Sequence, residues 1–94
     1  MTPAHAVHHD ATAQRFVIVI DDSTCELVYA LNGSTMRIHH TEVPSQFEGQ
    51  GLAAQLAKAA LAHARAQGWR VQPSCSYVHA YMRRHPETLD LLAP

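Results

Sequence analysis

With 94 residues, 47% of them hydrophobic and 16% charged, the chain has apolar material for one modest core and too little length for a second domain. Seven Lys and Arg against eight Asp and Glu give a net charge of -1, which lacks the basic surplus that neutralises a nucleic-acid backbone and so argues against DNA or RNA as partner. The two cysteines, Cys25 and Cys75, lie far apart without CxxC or Cys/His ligand spacing, and read as free thiols with no metal site.

Taken in chain order, residues 1–13 carry His5, His8 and His9 without periodicity and read as a flexible tail ahead of a single domain over residues 14–94. This opening has neither an apolar run nor a basic leader, so no secretory signal or membrane anchor is expected and the protein is placed in the cytoplasm. Arg15 to Ile20, "RFVIVI", is β-branched and aromatic, and "DDS" supplies a turn. "CELVYAL", Cys25 to Leu31, makes a second strand, and Asn32-Gly33 signals a hairpin into a third, Thr35 to Val43. Strict alternation there puts Met36, Ile38, His40 and Glu42 on one face, with Arg37, His39, Thr41 and Val43 on the other.

From Gly51 to Gln67 the period changes to about 3.6, with Leu52, Leu56, Ala60 and Ala64 on one stripe of a helix that Gly68 stops. "WRVQP", Trp69 to Pro73, then returns as a strand, parallel to the third because a helix crosses between them. "SCSYVHAYMRRHPE" forms a second helix, capped by Ser74 or Ser76 and closed before Pro86, and "TLDLLAP" makes a turn over an apolar edge. The expected fold is therefore α/β (α+β): a three-stranded antiparallel meander, a helix, a parallel strand and a C-terminal helix.

Gly49 and Gly51 stand just before the first helix, whose opening N–H groups have no intrahelical partner and carry a partial positive charge. Such a loop suits a phosphate, although a plain turn before a helix reads the same way. A triphosphate-binding loop needs a lysine after its last glycine, and Leu52 stands there. "GQGLAA", Gly49 to Ala54, does satisfy the dinucleotide fingerprint, but that fold opens on the fingerprint strand and continues through further βα units, whereas three antiparallel strands precede it here.

The third reading is coenzyme A. "QFEGQG", Gln46 to Gly51, between a strand and a helix, resembles the pyrophosphate-binding motif of the GNAT superfamily of acyl-CoA-dependent N-acetyltransferases. More narrowly, "EVPSQFEGQGLA", "VQPSCSYV" and "RRHPE", in that order, resemble the small single-domain CG-type (cysteine/glycine) acetyltransferases, over roughly residues 15–86. The resemblance implies a minimal GNAT fold and acetyl-CoA as cofactor, held by Val43, Gln46, Phe47, Glu48, Gly49, Gln50, Gly51 and Leu52, with the third strand beside the pantetheine arm. It also implies an amine acceptor, a small molecule or an exposed amine. The helical pair that larger members place between their first two strands is missing, so a homodimer could complete the cleft.

Acetyl transfer to an amine needs a base, a polarised carbonyl and a proton for the departing thiolate. Glu42 sits where many members keep the base, with an exposed strand-end carboxylate as the alternative. His40 and His79 are further candidates. Val43 offers an N–H to the carbonyl, since Pro44 has none. Tyr81 resembles the tyrosine that protonates the thiolate, while Tyr77, one turn earlier, reads as a packed aromatic. Cys75, at the start of the second helix, is placed where the helix dipole stabilises a thiolate, and is either an acetyl-accepting nucleophile or a small packing residue. The functions weighed are an acetyl-CoA-dependent N-acetyltransferase, a CoA-binding module with little or no transferase activity, and a structural adaptor without CoA affinity.

Overall fold

The computed structural model describes residues 5–94. Five strands form one sheet in sequence order: β1 (His8–Asp10), β2 (Arg15–Ile20), β3 (Ser23–Asn32), β4 (Thr35–Glu42) and β5 (Arg70–Pro73). The first four pair antiparallel, and β5 joins β4 in parallel after the crossover helix α1 (Leu52–Gln67). Helix α2 (Ser76–Arg84) and a 3-10 turn (Pro86–Leu91) complete the chain. The mixed α/β architecture is the one the sequence implies, with one strand more.

Alternation decides which face of the sheet is covered. Phe16 and Ile18, then Cys25, Leu27 and Tyr29, then Met36 and Ile38 are all buried under α1 and α2. On α1 the 3.6 period brings Leu52, Leu56, Ala57, Ala60, Leu61 and Ala64 onto one buried stripe, and the alanines let the helix lie close to the strands. A fully buried leucine such as Leu56 contributes roughly 1.5–3 kcal/mol. The other face stays open: Val19 is 60% exposed, and Arg70 and Gln72 point to solvent. No helix among the described residues is long and apolar enough to cross a membrane.

Three expectations need correction. The first concerns the supposed tail: residues 1–4 lie outside the described residues, but His8–Asp10 pairs with β2. His9 holds it there, its ring stacked on Phe16 at 4.2 Å, its Nε2 2.6 Å from the Tyr29 hydroxyl and its edge against His63. A three-residue strand fixed by such distant contacts leaves no local pattern to read.

The second correction is the face assignment along β4. Tyr29 pairs with Ile38 but Val28 pairs with His40, so His39 is an extra, bulged residue. The bulge flips the phase. Met36, Ile38 and Thr41 face the helices, whereas His40 and Glu42 face the open side with Val28 and Glu26. The third is the cap of α2, which is Cys75 rather than either serine and makes no side-chain capping bond.

The C-terminal residues cover the edge of β5 as expected of an apolar turn: Leu91 is buried, Leu92 bridges Val71, and the Ala93 N–H donates to the Val71 carbonyl at 2.8 Å.

Candidate active site

After β4 the chain turns at Pro44, makes a 3-10 turn (Ser45–Phe47) and enters α1 through Gly49 and Gly51. Both glycines sit at positive φ, +83° and +75°, and a Cβ built on either meets nothing within 4 Å. Glycine is thus required here by backbone conformation, and the space in front of the loop is free. Gly51 is the N-cap of α1, without a side-chain capping bond and without an acidic residue in the first turn. The opening N–H groups of a sixteen-residue helix therefore face that space with no competing carboxylate in the turn, an arrangement that fits a phosphate group.

The loop forms one wall of a cleft of about 210 Å³ lined by Val43, Phe47, Glu48, Gly49, Gly51, Leu52, Ala53, Ala54 and Tyr77. A neighbouring hollow shares Val43, Glu48, Ala53 and Tyr77 and extends to Thr41 and Glu42. The cleft exists because β4 and β5 part. Their pairing ends at Ile38 and Pro73, and the Ser74 and Cys75 N–H groups both close onto the Ile38 carbonyl at 2.9 Å. Beyond that clamp, β4 runs on through Glu42 without β5 beside it, leaving a strand edge on which an extended ligand could lie.

On the helix side of this edge, Thr41 Oγ1 lies 3.4 Å from Cys75 Sγ. On the open side, His40 Nε2 stands 3.3 Å from Glu42 Oε1 and 3.6 Å from Glu26 Oε2, and Arg15 donates to Glu26 at 3.1 Å. The donor atoms of Glu26, His40 and Glu42 all lie within 4.8 Å of one another. Glu26 is sixteen residues from Glu42 in sequence, and only the β3–β4 register, which sets them directly opposite, reveals the grouping.

Of the residues singled out by sequence, Glu42, Val43, Phe47, Glu48, Gly49, Gly51 and Leu52 line the two hollows. Gln46 does not; its amide reaches away to Ser23 Oγ at 3.3 Å, and Gln50 is absent from both linings. Cys75 is likewise absent from both linings; its sulfur lies behind Thr41, 3.4 Å from the hydroxyl of that cleft-lining residue. His79 is elsewhere, on the outer side of α2 with Ala80, Arg83 and Arg84.

The two tyrosines lie in different places, and it is Tyr77, not Tyr81, that lines the cleft. Tyr81 is buried, stacks on His85 at 4.0 Å and faces a separate hollow with Lys58 and Leu61. Tyr77, one turn nearer the cap of α2, faces both parts of the cleft. Burial pushes the Tyr77 phenol above its ordinary range, against a smaller lowering by Arg84, so the phenol keeps its proton at neutral pH. Its position two residues past Cys75 was the signal for it, since the first turn of a helix is what faces a cleft at its cap.

Comparison with known proteins identifies the family. Residues 15–91 match the family model described as GCN5-related N-acetyl-transferase. Protein NATD1 of Xenopus tropicalis is 30% identical over 93 residues, covering 94% of this chain and 85% of the relative; the Homo sapiens protein of that name is also 30% identical over 93 residues, covering 94% and 82%. The NMR solution structure of a GCN5-like protein from Staphylococcus aureus superposes with a TM-score of 0.75 at 24% identity, covering 94% of this chain and 87% of that one, and so shares the fold. The chain belongs to the GCN5-related N-acetyltransferase family.

Proposed function

We propose that the protein is an acetyl-CoA-dependent N-acetyltransferase. The observation that carries this reading is the junction of two features in one cleft: an uncapped helix N-terminus behind two positive-φ glycines, and a strand edge opened by the parting of β4 and β5. The first suits the pyrophosphate of coenzyme A, the second its extended arm. Coenzyme A, when bound, supplies the activated acetyl thioester. The N–H groups of the loop and the first turn of α1 would hold it, with Val43, Phe47 and Tyr77 as walls.

The chain's own residues then divide the proton work. Glu42, exposed at the end of β4, takes a proton from the acceptor amine directly or through water, and His40 beside it can pass that proton to solvent. The Val43 N–H is the donor toward the carbonyl oxygen. Tyr77, protonated and facing the cleft, supplies a proton to the leaving sulfur. Cys75 offers a second route: its sulfur would accept the acetyl group while its proton passes to the displaced thiolate, and it would regain a proton, given up by the amine, when the amine takes the acetyl group. On this reading the acceptor is a small molecule or exposed amine rather than a nucleic acid or a membrane component, and the protein works in the cytoplasm, with a homodimer as one way to wall the open side.

A CoA-binding module with little turnover is the second reading, favoured by the uncovered sheet face beside Glu42, which leaves an acceptor few walls. Calorimetric titration with acetyl-CoA, followed by a screen of amines with thiol release as readout, separates them. Binding with release supports the enzyme, binding without release the module, and no binding at millimolar acetyl-CoA removes both. Intact mass after incubation with labelled acetyl-CoA, in the wild type and Cys75→Ser, tests the covalent route.

A further inference from the structure

Cys75 is held unusually closely to β4. Its N–H donates to the Ile38 carbonyl at 2.9 Å, immediately before the bulge, and its sulfur lies 3.4 Å from the Thr41 hydroxyl, two residues beyond the bulge. The two contacts bracket His39. Were β4 regular through His39, Thr41 would keep the phase of Arg37 and point to the open face, away from Cys75. The bulge thus has a specific product: a hydroxyl at the sulfur.

The cap geometry supports the same conclusion. Cys75 occupies the N-cap of α2 in an extended conformation, φ -85° and ψ 130°, where a short polar side chain ordinarily turns back to the helix N–H groups. Its side chain makes no such bond and is directed to Thr41 instead. Thr41 in turn lines the hollow it shares with Glu42, Val43 and Tyr77, so the sulfur, packed partly against the core, is tied to the cleft through this hydroxyl.

We propose that Thr41, which lines the cleft, is a positioning residue for Cys75: its hydroxyl holds the sulfur beside it and donates a hydrogen bond to it when it is a thiolate. Either group can donate while the sulfur is a thiol, but only the hydroxyl can once it has lost its proton. A bond to a charged acceptor is about twice as strong as a neutral one, so the contact is strongest to the form of the sulfur that attacks. The inference relies on the proposed function only for calling this cleft the reacting end; the contact itself is tested without coenzyme A.

The test is the rate at which iodoacetamide alkylates Cys75 in the folded protein at a fixed pH, followed by intact mass with peptide mapping. Cys25 is an internal control, because it is completely buried and burial pushes its thiol up. Thr41→Val replaces the hydroxyl by a methyl group and should slow alkylation about tenfold, the share of a hydrogen bond to a charged group. Thr41→Ser, which keeps the hydroxyl, should restore most of the rate. A merely structural role for Thr41 predicts no such rescue, since serine lacks the packing methyl that valine retains. Should Thr41→Val melt below the assay temperature, Thr41→Ala takes its place with the same expectation. Alkylation of Thr41→Val or Thr41→Ala at the wild-type rate, or of Thr41→Ser as slowly as the hydroxyl-free variant, overturns the proposal. Failure to bind acetyl-CoA would remove the proposed function and leave this result intact.

Discussion

The two ends of the cleft are built by different means. The glycine end is made mostly of backbone: two residues at positive φ and the bare N–H groups of α1, with Glu48 as the charged residue of its lining and none in the helix's first turn. The β4 end is made of side chains, sorted by one bulged residue into Thr41 and Cys75 on the helix side and His40, Glu42 and Glu26 on the open side. A backbone site binds a ligand whose chemistry is invariant, such as a pyrophosphate. A side-chain site can be tuned to a particular acceptor. On the proposed function the first end sets affinity and the second sets turnover, and each substitution below should move one without the other.

The largest effect is expected at the side-chain end. Glu42→Gln removes the base and should reduce turnover about a hundredfold or more, while calorimetry finds acetyl-CoA affinity unchanged. Equal loss of both would mean that the two ends are not separate. Next comes Gly51→Val, which places a β-branched residue at φ +75°; the strain of about 1–2 kcal/mol should weaken acetyl-CoA roughly tenfold, visible as a larger dissociation constant. Turnover at saturating acetyl-CoA should survive. Unaltered affinity in that variant would remove the loop from the binding site.

A smaller contrast tests the reassigned tyrosine. Tyr77→Phe should lower turnover roughly tenfold with little loss of melting temperature, because only a hydroxyl at the cleft is lost. Tyr81→Phe, changed beneath His85 and away from the cleft, should leave turnover as it was. The reverse ranking would return the acid to Tyr81.

The smallest effect concerns β1, far from both ends. Burial and the neighbouring His63 hold His9 below its ordinary 6.5, opposed by Asp10. In the unfolded chain His9 takes up its proton near pH 6.5; in the folded chain only at lower pH. The unfolded state therefore binds more protons between those two values, so the stability contribution is complete above about pH 6.5 and is lost as pH falls through that window. Thermal melts should show a decline over this range that His9→Phe flattens. Trp69, whose ring lies 5.2 Å from His63, gives a fluorescence readout of the same cluster.

These contrasts also explain what could be read from the sequence. The Asn32-Gly33 hairpin, the stripe of α1, its stop at Gly68 and the parallel return of β5 follow from local periodicity and turn chemistry, and all are found in the fold. The glycine end was legible for the same reason: at these two positions the positive φ is taken by glycine, although Gln14 and Asp21 adopt it without one. The side-chain end was only partly so. Glu42 and Cys75 could be named, but the bulge at His39 lies in an unbroken run of strand-like residues, and nothing in "RIHHTE" marks the extra one. Its consequences, Thr41 beside Cys75 and Glu26 beside His40 and Glu42, are products of cross-strand register. That Tyr77 rather than Tyr81 lines the cleft depends on how α2 is rotated over the parted strands, and β1 depends on rings far away in sequence. Tertiary packing decides all three.

The central claim is that one cleft, from the glycine loop to the end of β4, holds acetyl-CoA. It is tested most directly by titrating the isotope-labelled protein with acetyl-CoA and following the backbone amide resonances. The account predicts saturable shifts confined to Val43, Phe47 through Ala54 and Tyr77, with smaller ones at Thr41 and Cys75. No shift at millimolar acetyl-CoA, or shifts centred instead on the Lys58–Tyr81–His85 hollow, would contradict it.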